Sequence, residues 1–248
     1  MSDIQYKIPW DVVFSIGPNI WQGTEASVDR FSAGFADRIQ PPPLILGLEH
    51  LPASPRFLLV ANHYQRKGLW IAHVASVLTQ IVNRRYGPLE APVRWVVTAN
   101  WPPLKIGPLT LPSPGDWLLP RVAHALCCYP VAFAGTNPEF TARTIRRMLR
   151  EARTLNCPIG IFPEGAAAVA GTLTDPLPGV ERLLRQLAKS GWPLLPAAVS
   201  EDGQRLVIRL QPLVPASELL VVEDPARFAM SRIRDGLDTP ARLQPARP

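Results

Sequence analysis

The 248-residue sequence has four lysines (Lys7, Lys67, Lys105, Lys189) among its 26 basic residues, three cysteines and four histidines. Each scarcity removes a class of protein. Cys127, Cys128 and Cys157 are odd in number and lack metal-ligand spacing, which argues against a disulfide framework and for a reducing compartment. His50, His73 and His124 show no ligand spacing among themselves, so no metal is expected. No apolar run is long enough to span a bilayer, and the longest, VAHALCCYPVAFAG (122–135), is interrupted. The start, MSDIQYKIPW, has no basic region followed by an apolar one, so no signal peptide is expected. There is no internal repeat and no low-complexity linker. Helix-turn-helix, zinc and aromatic-basic strand signatures are missing too, so the net charge of +6 is not assigned to nucleic acid.

What remains is globular: 47% apolar and 19% charged residues. Short apolar runs alternate with helical periodicity. RFLLVAN (56–62), VRWVVT (93–98), CPIGIFP (157–163), PLLPAAV (193–199) and RLVIRLQ (205–211) read as strands. Residues 68–84, 137–155, 178–191 and 224–236 read as helices, with Asn137 as an N-cap and Gly191 as a stop. Such alternation predicts an α/β fold, a mainly parallel mixed sheet flanked by helices. The EDGQ turn (201–204) predicts an antiparallel edge. The proline clusters at 41–44 and 101–117 read as loops and the tail at 239–248 as a frayed end.

Two strand ends carry chemistry. His63 follows a buried strand and precedes a helix, at the sheet edge where ligands bind. A helix N-terminus disfavours imidazolium and keeps such a histidine able to accept a proton. A histidine bonded only to loop backbone is the plainer alternative. IGIFPEGAAA (159–168) brings Pro163, Glu164 and Gly165 to the same edge, where a carboxylate can bind a hydroxyl, orient a base, or simply cap a helix.

Taken in order, LILGLEHLPASPRFLLVANH (44–63), IFPEG (161–165) and LPGVERLLRQLAKSGWPLLPAAV (177–199) resemble the phospholipid/glycerol acyltransferase domain, the family of lysophosphatidate and glycerol-3-phosphate acyltransferases. The resemblance covers residues 44–215, leaving 1–43 as an N-terminal helical and loop segment and 216–248 as a C-terminal helix and flexible tail. It implies a glycerol-3-phosphate acyltransferase-like fold. The implied reaction moves a fatty acyl group from an acyl thioester, acyl-CoA or acyl carrier protein as co-substrate with no cofactor, to a lipid-precursor hydroxyl. His63 would be general base and Glu164 its companion, with Asn62, Arg66, Lys67, Pro163 and Gly165 around the substrate. A cytoplasmic protein held peripherally on an anionic membrane surface is implied as well.

Three positions depart from the family pattern. Its His-x-x-x-x-Asp has Gly68 for the aspartate that holds the histidine tautomer, and an aspartate restored there is expected to raise activity. Ala167 and the arginine-free YPVAFAG (129–135) stand where the family carries arginines for a phosphate. Residues 101–120 look like an insertion. Two readings stay open: an acyltransferase whose acceptor has no phosphate monoester, with His63 oriented by Glu164, Asp116 or Tyr129, and a non-catalytic lipid- or acyl-binding relative. Arg143, Arg146, Arg147, Arg150 and Arg153 share one face of a helix, which predicts either a solvated face or an anchor for anionic head groups. Cys127 and Cys128 have no adjacent base and read as small core residues.

Overall fold

The structure is a computed structural model and describes residues 4–87, 92–99, 104–106, 109–111, 115–133, 136–165 and 172–239. The strands are β1 (Gln5–Tyr6), β2 (Ile39–Gln40), β3 (Leu44–Leu46), β4 (Leu58–Ala61), β5 (Arg94–Thr98), β6 (Leu104–Ile106), β7 (Leu109–Leu111), β8 (Tyr129–Val131), β9 (Ile159–Ile161), β10 (Leu194–Glu201) and β11 (Leu206–Leu210). The α-helices are α1 (Trp10–Ser15), α2 (Gly17–Gln22), α3 (Val28–Ala36), α4 (Ile71–Tyr86), α5 (Gly115–Ala125), α6 (Pro138–Glu151), α7 (Val180–Lys189), α8 (Ala216–Val221) and α9 (Pro225–Asp238).

Seven strands form one sheet in the order β3-β11-β10-β4-β9-β5-β8, and two short pairs, β1-β2 and β6-β7, stand apart. Every neighbouring pair in the large sheet is parallel except β10 and β11. The turn at 201–204 therefore does reverse the chain. However, β11 is not the edge, because β3 pairs parallel to it on the outside.

Alternation along β4 feeds two cores. Leu58 and Val60 join Met148 and Ala152 beside α6, Leu184 and Leu187 of α7, and Ile233 of α9. Leu59 and Ala61 join Val74, Val77, Leu78 and Ile81 of α4 on the other face. A strand covered on both faces has no polar side to alternate with, which is why LLVA is wholly buried.

The helix starts are chemically marked. The Asn137 side chain accepts from the Phe140 N–H at 3.0 Å and Pro138 occupies the first turn, as expected. Asp224 caps α9 by accepting from the Ala226 and Arg227 N–H groups. The helix after His63 starts at Ile71 rather than at 68. Residues 66–69 form a tight turn instead, closed by the Leu69 N–H donating to the Arg66 carbonyl at 3.0 Å, with Gly68 at φ 85°. His73 then sets the first helical turn, its Nδ1 accepting from the Trp70 N–H at 3.1 Å. The loop expected at 101–117 contains the β6-β7 hairpin and the start of α5.

Candidate active site

Parallel strands β4 and β9 end side by side, so the residues after them meet at one sheet edge. Asn62 is the first of these. Its amide side chain substitutes for a further rung of the ladder to β10, donating to the Val199 carbonyl at 3.0 Å and accepting from the Val199 N–H at 2.7 Å. It is 3% exposed, so this residue fixes the backbone beneath His63 and offers nothing to a substrate.

Glu164 reaches the same place from β9. Oε2 accepts from the His63 main-chain N–H at 2.6 Å, while Oε1 accepts from the Thr174 N–H at 2.8 Å and the Thr174 hydroxyl at 3.2 Å. The carboxylate, also 3% exposed, ties three stretches of chain together. It holds the histidine by its backbone, not by its ring.

The His63 ring lies edge-on to Phe162, 5.8 Å between centroids, and Phe162 stacks on Trp95 at 4.9 Å. Nδ1 is buried and has no hydrogen-bond partner among the described residues. Burial lowers the His63 pKa below its usual 6.5, an effect that its own backbone and the Glu164 charge partly offset. Burial thus favours the uncharged imidazole, the form that can take a proton. Yet nothing described at Nδ1 holds the tautomer that leaves Nε2 free to do so.

The three groups considered as orienters do not supply that partner. Glu164 is spent on main-chain donors and Thr174. Tyr129 opens β8 at the opposite edge of the sheet, where its hydroxyl donates to Glu151 at 2.7 Å beside Arg94. Asp116 is exposed in the first turn of α5.

Of the remaining candidates, Arg66 is paired with Glu201, which the Tyr6 hydroxyl also engages. Lys67 is exposed at the tip of the turn. Pro163 is buried, and its carbonyl accepts from the Leu177 N–H at 2.8 Å. Gly165 has φ 63°, and a Cβ there would overlap the Leu177 side chain, so glycine is required by both backbone and space. Ala166 and Ala167 lie outside the described residues, as do 134–135 of the YPVAFAG stretch.

Sequence reasoning passed over Tyr6 and Thr174, weighed His73 only as a metal ligand and read Glu201 only as part of a turn. Glu201 had one legible signal, an acid ending a buried strand at the edge that carries His63. His73 is fully buried, with Nε2 3.2 Å from the Lys7 carbonyl and its ring against Tyr6 and Phe35. Because Nδ1 accepts from Trp70, the proton sits on Nε2 and donates to Lys7. The ring so staples the N-terminal segment to α4, and burial lowers its pKa below 6.5, with the bonds to Lys7 and Trp70 partly offsetting this.

Both histidines give a pH prediction. A folded pKa below the unfolded one means that the unfolded chain binds protons more readily. Stability is then complete above about pH 6.5 and falls as pH drops below it. Urea titrations at pH 7.5 and 5.5 check this, with the lower midpoint expected at pH 5.5. A midpoint unchanged or higher there would contradict the burial of neutral imidazoles.

Through Glu151 the arginine-rich helix is arranged as its periodicity predicts, while Arg153 lies past its end. Thr144, Met148 and Ala152 are buried, while Arg143, Arg146, Arg147, Arg150 and Arg153 are exposed. Glu151 is drawn to Arg94 at 3.1 Å and Arg147 at 3.7 Å. No described helix is long and apolar enough to cross a membrane, and no described cluster of ligating side chains would hold a metal ion.

No protein-family model and no curated protein matches the sequence. Its structure is similar to the crystal structure of the 1-acyl-sn-glycerophosphate acyltransferase PlsC from Thermotoga maritima. The match has a TM-score of 0.54 at 14% identity and covers 91% of this chain and 88% of that one. The seven-stranded, mostly parallel sheet with helices on both faces is therefore the fold of that acyltransferase.

Proposed function

We propose that the protein transfers a fatty acyl group from an acyl thioester, acyl-CoA or acyl carrier protein, to a lipid-precursor hydroxyl that bears no phosphate monoester, working peripherally at an anionic membrane surface. The observation that carries this reading is the pair at the sheet edge: His63, whose backbone N–H is clasped by the buried Glu164 carboxylate. In the step, the acceptor oxygen forms a bond to the thioester carbonyl carbon as His63 takes the hydroxyl proton. The carbon–sulfur bond then breaks and the proton goes to the departing thiolate. No metal or redox partner enters the balance. Loss of the orienting acid in comparable triads costs about 10⁴ in kcat, so the expected turnover is slow.

One observation favours the second reading, a non-catalytic acyl- or lipid-binding relative: Nδ1 has no partner among the described residues. The two separate on thiol release from a long-chain acyl thioester in the presence of a monoacylglycerol-type acceptor. Release above background that requires the acceptor supports transfer, whereas saturable thioester binding without release supports the relative.

Gly68→Asp sharpens the point. The expectation that an aspartate there completes a relay assumed a helix at 68. In the turn that exists, the nearest atoms to a new Cβ are the Tyr6 carbonyl at 3.8 Å and the Tyr6 Cβ at 4.0 Å, so the carboxylate is aimed at the N-terminal segment. The variant is expected to leave any rate within about threefold of the wild type. It should cost about 1–2 kcal/mol through its left-handed φ. A large rise in rate would show that the turn refolds into a relay.

A further inference from the structure

Arg66 follows His63 closely, in the tight turn at 66–69. An arginine beside a candidate base is a natural seat for a phosphate, because the guanidinium fork matches phosphate oxygens two at a time. Here the fork is already engaged. Arg66 Nη1 donates to Glu201 Oε2, and the Tyr6 hydroxyl donates to Glu201 Oε1. Both carboxylate oxygens are thereby held. The Glu201 side chain is only 8% exposed, whereas 37% of the Arg66 side chain reaches solvent.

Strand register puts this trio beside His63. β10 runs parallel to β4 with Ala197 opposite Ala61, and the Asn62 amide extends the match to Val199. Side chains alternate across a strand. Leu59 and Ala61 face the α4 core, as do Ala197 and Val199, so the next positions on that face are His63 and Glu201. Two contacts agree. Leu206, the partner of Glu201 on β11, lies in that core. So does the packing of Phe162, against which the His63 ring rests.

We infer that Glu201 sets the acceptor preference at this edge: its carboxylate neutralises Arg66, so the guanidinium can meet a neutral hydroxyl but does not hold a phosphate. The inference rests on the neutral-acceptor reading above and gives that preference a cause of its own. A phosphate dianion at Arg66 would have to draw it from Glu201 and leave that carboxylate without its cation in a place with little water. It would also face the charge of Glu164, buried against the His63 N–H. A hydroxyl needs only one remaining N–H of the guanidinium and requires no ion pair to open. One acceptor is thus favoured because the other is penalised. A mere staple between the N-terminal segment and the turn would use the same bonds yet leave anion affinity untouched.

Glu201→Gln separates the two roles. A glutamine accepts from Arg66 through its carbonyl and donates its NH₂ to the Tyr6 oxygen, so the bonds persist and only the charge is lost. The full chain, wild type and variant, is titrated with glycerol 3-phosphate by calorimetry, with inorganic phosphate as a second probe. Glu201→Gln should bind glycerol 3-phosphate about 10–100-fold more tightly than the wild type. Adding Arg66→Gln should erase the gain. Tyr6→Phe, which keeps the ion pair, should stay within about threefold of the wild type. Circular dichroism and melting temperature show that each variant folds. Should Glu201→Gln not fold, Glu201→Asp, whose shorter carboxylate draws back from Arg66, should raise the affinity at least about threefold. A folded variant at position 201 that binds no more tightly than the wild type, or a gain that survives the loss of Arg66, would overturn the inference. Binding is read without turnover, so a failure of every variant to transfer acyl groups would count against the proposed reaction alone.

Discussion

Glu164→Ala is expected to lower the free energy of unfolding by about 2–4 kcal/mol, measured by urea or guanidinium denaturation. The carboxylate is buried and accepts from the His63 N–H, the Thr174 N–H and the Thr174 hydroxyl. Removing it leaves these donors with little water to turn to, and an unsatisfied buried donor is costlier than a lost exposed bond. Glu164→Gln keeps the shape but turns an NH₂ toward a donor, so an intermediate loss is expected. Thr174→Val removes only the hydroxyl contact and should cost under about 1 kcal/mol. This order, Ala worst, Gln next, Val least, is the signature of a clasp. An alanine variant as stable as the wild type would mean that Glu164 does not hold the loop.

His63→Ala should behave in the opposite way. Any thioester-dependent acylation is expected to fall by about 10²–10⁴, the usual worth of a positioned general base. Stability should hold or rise slightly, because the ring keeps a buried nitrogen with no partner among the described residues, and deleting an unsatisfied polar atom recovers its desolvation cost. A residue whose removal abolishes turnover while leaving the fold intact is retained for chemistry. If the alanine variant turns over at the wild-type rate, His63 is not the base. If stability collapses along with the rate, His63 is a core residue.

Much of the fold was legible because the central strands have no solvent side. LLVA, IGI and the first half of LLPAAVSE are apolar runs between breakers, and the helix before IGI has a clear cap at Asn137. The short or edge elements were not legible. β8 is three residues with a proline in the middle, tolerable because it is the last strand of the sheet and Pro130 owes no bond on its open side. β3 is three residues, and α1 and α2 are six each, too short for a period to show. The start of α4 was misplaced because GLW continues the apolar pattern. The glycine turn and the His73 cap, both local backbone matters, decide it instead.

The same division runs through the candidate site. That His63 and Glu164 share an edge could be read from the strands that precede them. That Glu164 spends itself on a main-chain N–H could not, since a bond to backbone leaves no mark on the partner's residue type. Thr174 and Glu201 were hidden for a related reason: they act through contacts more than a hundred residues apart for Arg66 and Glu201, and within a loop without periodicity for Thr174.

The proposed reaction at this sheet edge is acyl transfer from a thioester to a phosphate-free acceptor. It is tested most directly by incubating the wild-type protein with a radiolabelled long-chain acyl thioester, with CoA and carrier-protein donors in turn. Monoacylglycerol and lysophosphatidate are offered together in mixed vesicles, and the labelled products are separated. Label is expected in the diacylglycerol formed from the neutral acceptor, well above any in phosphatidate. Label predominantly in phosphatidate, or no thioester bound or consumed under any pairing, would contradict it.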